Sequence, residues 1–215
     1  MKKFALVCVI LVSVVSITMG KMSSEEWERA RDNCDNLDKS ACEALINNGL
    51  PSVEQCDKKG TCRFAGAVYY NAMRYREAIR YFEKAIALGD NEGYGLLGIA
   101  YGDLQDYHNA KKYFEMACNK GNGDLAQTES CFNLGVLYYN GKGVHKDYAK
   151  VAELWKKACD MQGATACNNL GELYAEGKGV RQNFSNAKQY YGKACDLGNQ
   201  MGCDNYRELN EQGVQ

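Results

Sequence analysis

Residues 131–144 read Cys-Phe-Asn-Leu-Gly-Val-Leu-Tyr-Tyr-Asn-Gly-Lys-Gly-Val, and residues 167–180 read Cys-Asn-Asn-Leu-Gly-Glu-Leu-Tyr-Ala-Glu-Gly-Lys-Gly-Val. The second stretch restates the first after 36 residues, and the same step leads from Cys167 to Cys203. Working outward, Ala117-Cys118, Ala158-Cys159 and Ala194-Cys195 recur at steps of 41 and 36. Further upstream, Tyr69 to Tyr101 and Ala85 to Ala117 each step by 32. Such a period marks a repeat architecture, in which each unit buries its apolar face only against its neighbours.

Each unit reads as two helices. From Cys167 to Ala175, Leu170, Leu173 and Tyr174 stand at i, i+3 and i+4 spacing, and Gly171 suits close helix approach. Gly177 and Gly179 end that helix, because glycine accepts the left-handed geometry of a helix C-terminus. A second helix over Asn186 to Asp196 carries Ala187, Tyr190, Tyr191 and Ala194. With one proline in 215 residues, nothing interrupts long helices. The prediction is an all-α fold, a right-handed α-solenoid of antiparallel helix pairs.

The pattern Leu-Gly-x-Leu-Tyr, Gly-Lys-Gly-Val and Ala-x-x-Tyr-Tyr-x-Lys-Ala-Cys resembles the Sel1-like repeat, a relative of the tetratricopeptide repeat. The units around Tyr69–Ala85 and Tyr101–Ala117 lack the Gly-Lys-Gly-Val insertion and look closer to plain tetratricopeptide repeats. Cysteines flanking the units resemble those of the Helicobacter cysteine-rich protein family. The resemblance covers residues 61–209, most specifically 131–203, and reaches 21–60 only loosely. Together with the leader pattern at the N-terminus, the expected division is a signal peptide (1–20), a helical cap with Cys34 and Cys42 (21–60), the repeats (61–209) and a tail (210–215).

Composition fixes the broad class and the cysteines suggest an address. Charges nearly balance, 26 Lys+Arg against 27 Asp+Glu, so there is no basic excess for nucleic acid or a polybasic membrane contact. Lys2 and Lys3 precede an apolar run and small residues at Thr18 and Gly20, the pattern of a secretory signal peptide. That run is too short to span a membrane, so no stable insertion is expected once the leader is removed. Its removal takes Cys8 from the 11 cysteines and leaves ten, an even number that suits an oxidising compartment, secreted or periplasmic.

Spacing pairs the ten. Cys34–Cys42, Cys159–Cys167 and Cys195–Cys203 are each eight apart, which in one straight helix is about 12 Å, beyond the reach of a disulfide. The chain therefore turns between them, joining the end of one unit to the start of the next. Cys56–Cys62 is a shorter clip of the same kind, and Cys118–Cys131 carries a five-residue insertion. Ile86 and Tyr94 hold the two positions at the one junction without a pair. A metal site is not expected: there is no Cys-x-x-Cys, which also argues against a thioredoxin-like role, and His108 and His145 are the only histidines. No cofactor is expected.

Motifs of catalysis are thin. Gly93-Tyr-Gly-Leu-Leu-Gly98 has dinucleotide-loop spacing but opens a predicted helix rather than following a strand. Ser185-Asn-Ala-Lys188 has the Ser-x-x-Lys of penicillin-recognising enzymes without their Ser-Asp-Asn and Lys-Thr-Gly partners, and reads instead as the start of a helix. Ser23-x-x-Glu26 and Ser40-x-x-Glu43 read as capping boxes. No catalytic residue is assigned. The family resemblance nonetheless carries a label, penicillin-binding protein or weak β-lactamase, kept as the alternative function.

The leading expectation is a protein or peptide partner bound on a concave face of first helices. With the apolar stripe inward, Asn169, Glu172 and Glu176 share the opposite stripe, matched by Asn133, Val136 and Asn140 before them and Asn205, Glu208 and Gln212 after. Asparagine recurs at one register in three units, Asn133, Asn169 and Asn205, and its amide both donates to and accepts from an extended backbone. The competing role for these amides is a bond to their own helix or to a neighbouring unit. Of 15 tyrosines, Tyr81, Tyr113, Tyr190 and Tyr191 fall at packing positions, while Tyr139 and Tyr148 are expected as exposed contacts.

Overall fold

The computed structural model describes residues 24–120 and 123–214. The leader at 1–20, with Cys8, and the capping serine Ser23 lie outside them. The described residues form eleven helices and no strand: α1 (Ser24–Asp35), α2 (Lys39–Asn48), α3 (Lys59–Asn71), α4 (Tyr75–Ala87), α5 (Gly93–Asp103), α6 (Tyr107–Lys120), α7 (Leu125–Asn140), α8 (Tyr148–Asp160), α9 (Ala164–Glu176), α10 (Phe184–Asp196) and α11 (Gln200–Glu211). They belong to two compact units that divide between Gln105 and Asp106.

In the first unit, α4 shows how composition becomes packing. Ala78, Ile79, Tyr81, Phe82 and Ala85 are buried, one stripe at helical spacing. Phe82 lies against Gly66 of α3, where a Cβ would stand 2.5 Å from its ring. The N-terminal helices join the same unit. Asn71 of α3 donates to the Cys34 carbonyl at 3.2 Å, and Ala30, Cys34, Cys42 and Leu45 share a core with Val68 and Ala72. The segment between α2 and α3 is tied down by Tyr81, whose hydroxyl donates to the Pro51 carbonyl at 2.8 Å.

The second unit repeats this packing with larger aromatics. Gly135 of α7 faces Trp155 of α8, and Gly171 of α9 faces Tyr191 of α10, where a Cβ would come within 2.6 Å of the ring. The small residue at Gly171 thus serves the close approach that the sequence called for. The Gly-Lys-Gly loops also have a packing reason. Gly177 has φ +70° and caps α9, its N–H bonding the Leu173 carbonyl. Gly179 has φ +71° and lies so close to the start of α8 that a Cβ would fall inside the backbone of Tyr148. Both glycines are needed, one for its conformation and the other also for its lack of bulk.

Five pairs of cysteines stand at disulfide distance, the five that spacing proposed, with Cα atoms 4.4–5.6 Å apart. Several local expectations change. Asp38, not Ser40, caps α2: its carboxylate accepts from the Ser40 and Ala41 N–H groups, and the Ser40 hydroxyl also donates to it. Asn183, two residues before Ser185, caps α10 by accepting from Asn186 N–H at 2.9 Å. Ser185 thus stands in the first turn of α10, at the helix start expected of it, and the capping oxygen is that of Asn183. The last helix runs through Glu211, two residues past the expected repeat boundary. Gly93–Gly98 lies wholly inside α5, so its glycines serve packing within a helix.

Candidate binding face on the first helices

Three of the six residues expected on the binding face converge on one buried side chain that the sequence reading passed over. Asn168 of α9 is 1 % exposed. Its Oδ1 accepts from Asn205 Nδ2 of α11 at 3.1 Å, and its Nδ2 donates to Glu172 Oε1 at 2.9 Å. The same Nδ2 approaches Asn169 Oδ1 at 3.5 Å, the outer limit of a hydrogen bond. A buried amide of this kind must be satisfied, and here Glu172 of its own helix and Asn205 of the next repeat satisfy it, so Asn205 takes up the competing role, a bond to a neighbouring repeat. Its only trace in the sequence is the doublet Asn168-Asn169, of which the periodic pattern marked the second member.

Electrostatics bind the cluster to the layer beneath. Burial raises the Glu172 carboxyl above its ordinary range; the Asn168 bond opposes this, Glu176 adds repulsion and Lys178 offsets it. Beneath them the Tyr191 hydroxyl is pushed up to about 12, first by burial and then by Glu172, Glu176 and Glu208. The face is therefore rich in acceptors, with its one buried amide committed to holding it together.

The other predicted residues are placed differently. Asn133 is half-buried on α7, and the position before it is Phe132, whose ring stacks on Trp155 at 5.8 Å, so no amide stands where Asn168 does. Asn140 bonds back to the Val136 carbonyl at 2.9 Å, and Glu176 pairs with Lys178 at 2.8 Å. Both lie at helix ends and are tied locally. Tyr139 and Tyr148 depart from expectation: both are half-buried, Tyr139 stacking on Trp155 at 5.6 Å and meeting Tyr148 edge-on at 5.4 Å. The α7–α8 pair has room for this aromatic layer, and it draws both rings inward. Tyr81 and Tyr191 are buried as expected; Tyr113 and Tyr190 are half-buried.

Lys188 of the Ser185-x-x-Lys188 pattern has other partners. The Lys188 ammonium donates to the Val214 carbonyl and lies over the Tyr206 ring at 5.7 Å from its centroid. Among the described residues, no three His, Cys, Asp or Glu side chains are placed to share a metal ion. No described helix is long and apolar enough to cross a membrane.

Comparison with known proteins sets this geometry in a family. The Sel1 repeat matches residues 64–90, 128–162 and 164–199, and a tetratricopeptide repeat matches 92–119. Cysteine-rich protein B of Helicobacter pylori is 31 % identical over 61 % of this chain and 93 % of its own, with a TM-score of 0.48. The chain belongs to the Sel1 repeat family. A Sel1 repeat protein from Oxalobacter formigenes shares the fold at 20 % identity, with a TM-score of 0.65 over 89 % of this chain and 76 % of its own. HcpC of Helicobacter pylori J99, provisionally named a beta-lactamase, is 56 % identical over 46 residues. HRD3B of Arabidopsis thaliana, a component of an ERAD-associated E3 ubiquitin-protein ligase, is 37 % identical over 89 residues. The chain spans only 14 % and 13 % of the lengths of these two relatives.

Proposed function

We propose that this is an exported, disulfide-clipped Sel1 repeat protein that binds a protein or peptide partner along its first helices, on a concave face centred on α9 and α11. The observation that carries the reading is the convergence of Asn169, Glu172 and Asn205 on one buried amide. A donor-and-acceptor surface held by a buried bond suits an extended backbone, which offers N–H and C=O groups in alternation. The relative HRD3B, a component of a multi-protein assembly by name, supports a role in protein contacts. Export rests on the leader pattern at residues 1–20 and on ten cysteines that pair completely in its absence. In this reading the mature chain consists of the cap at 21–60, the repeats at 61–209 and a short tail at 210–215.

Native pull-down from the oxidising compartment supplies the partner. Asn169→Ala combined with Asn205→Ala should then weaken its binding by about 1–3 kcal/mol; because Asn205→Ala also strands the Asn168 oxygen, affinity is compared below the lowered melting temperature, where the chain is fully folded. Unchanged affinity would discard the face. The beta-lactamase reading rests on the provisional name of HcpC alone. Hydrolysis of a chromogenic cephalosporin that survives full purification, and disappears with a point mutation in this chain, would reverse the order of the two.

A further inference from the structure

We propose that Asn168 is a positioning residue, which fixes the orientation of the Asn205 and Glu172 side chains and thereby decides which of their atoms a bound chain meets. The inference rests on the binding face proposed above and adds to it a cause and a centre.

The bonds divide the polar atoms into spent and available. Asn205 gives a hydrogen of its Nδ2 to Asn168 Oδ1 at 3.1 Å, so its amide plane is fixed with the carbonyl oxygen on the far side. Glu172 accepts from Asn168 through Oε1 at 2.9 Å, which leaves Oε2 as the oxygen that can face a ligand. Asn168 itself, 1 % exposed, touches no ligand directly. An amide on a free side chain samples several rotamers and two flips; holding it in one removes an entropic cost from binding.

The other first helices of the same unit supply the contrast. The position of Asn168 is Phe132 on α7, packed on Trp155, and Asp204 on α11, which takes hydrogen bonds from Gln200 at 3.0 Å and Arg207 at 3.4 Å. Three asparagines share one register, but only Asn169 and Asn205 lie beside a buried amide. Their contributions to binding should therefore be unequal, with Asn133 the least.

The test uses the oxidised full chain and a linear peptide selected on it from a displayed library. Asn168→Leu keeps the branched shape while removing every polar bond; the partners it releases, Asn205 and Glu172, are half-buried and can turn to water, so the cost to stability is limited to the lost bonds and the larger side chain. The expected result is native helicity and a cooperative melt retained, affinity for the selected peptide reduced about tenfold when measured well below the melting temperature, and loss of the distinct NMR side-chain amide signals of Asn205. Asn133→Ala should change affinity less than twofold. If Asn168→Leu binds as the wild type while Asn205→Ala weakens binding, the positioning role is overturned and the face stands. If Asn205→Ala has no effect, or no linear peptide is recovered, the face falls and the positioning role with it. A lower melting temperature with unchanged affinity would make Asn168 a purely structural residue.

Discussion

Two kinds of junction join successive helix pairs, one stapled and one bare, and at the three stapled junctions with cysteines eight apart the backbone turn is that of the bare one. In the bare junction, Gly89 N–H donates to the Ile86 carbonyl at 2.8 Å and Asp90 N–H to the Ala85 carbonyl at 3.0 Å. In the stapled junction after α10, Gly198 N–H donates to the Cys195 carbonyl at 2.8 Å and Asn199 N–H to the Ala194 carbonyl at 2.9 Å. The junction after α8 repeats both bonds through Gln162 and Gly163 at 3.0 and 2.9 Å, and the one after α1 does so through Leu37 and Asp38 at 2.9 and 3.0 Å. The turning residue has φ of +89°, +85°, +66° and +67° in the four cases. The disulfide therefore does not make the turn. It locks a turn that hydrogen bonds already specify, and acts chiefly by restricting the unfolded chain.

What replaces sulfur at the bare junction is volume. Ile86 is half-buried, and a Cβ on Gly93 would stand 2.7 Å from its Cγ1, so a glycine makes room for the larger side chain. The equivalents of Gly93 in the stapled junctions are the buried Ala166 after α8 and Gly202 after α10, where a Cβ would meet Ala194 at 2.6 Å, so a small residue is common to all three and only at the bare junction does it face an isoleucine.

The comparison breaks most visibly by unstapling. Cys159→Ala with Cys167→Ala should lower stability by about 2–3 kcal/mol, read from chemical denaturation, with native helicity retained before the transition. A chain that loses its helices without denaturant would show that the clip makes the turn after all. The reverse substitution comes next in size. Ile86→Cys with Tyr94→Cys should oxidise without rearrangement, and the clip's gain less the lost Ile86 packing should leave about 1 kcal/mol. Thiols that stay titratable under oxidising conditions would mean that the bare turn differs from its stapled counterparts.

The same contrast explains what could be read from sequence. Repeat period, helix pairs and cysteine pairing were legible because each depends on local spacing: Gly177 must cap, and Cys159 and Cys167 must turn to meet. The binding face was legible only in outline. Whether Asn168 or Asn169 lies buried depends on a rotation of α9 that one apolar stripe does not fix, and the partner Asn205 comes from a different helix 37 residues away. Tyr139 and Tyr148 lie further inward than their spacing suggests for a related reason, since the Trp155 ring on which Tyr139 stacks belongs to the facing helix. Leu37 and Gln162 gave no sign of left-handed backbone, because neither residue favours it.

Acid should separate the two kinds of junction by sign, with the smallest effect of the three. Asp90 at the bare junction is 5 % exposed; its Oδ1 takes Arg63 at 3.3 Å and Glu92 N–H at 3.1 Å, while its Oδ2 has no hydrogen-bond partner among the described residues. Burial raises its carboxyl above the usual range, against the pull of Arg63. A carboxyl raised on folding costs stability when ionised, and that cost fades as pH falls through its folded value. Asp160, beside the stapled junction after α8, is the opposite case: the hydrogen bond from Lys156 at 2.7 Å holds it below the usual range despite some desolvation. Its contribution is present above the unfolded value and is lost as pH falls through the lowered folded one. Moderate acid should therefore narrow the stability gap between Asp90→Asn and the wild type, with the variant ahead at neutral pH. The gap for Asp160→Asn, with the wild type ahead, should close only on further acidification. Denaturation midpoints followed against pH for the three chains decide it, and a gap for Asp90→Asn that does not narrow on acidification would place the bare turn's tension elsewhere than in its buried carboxylate.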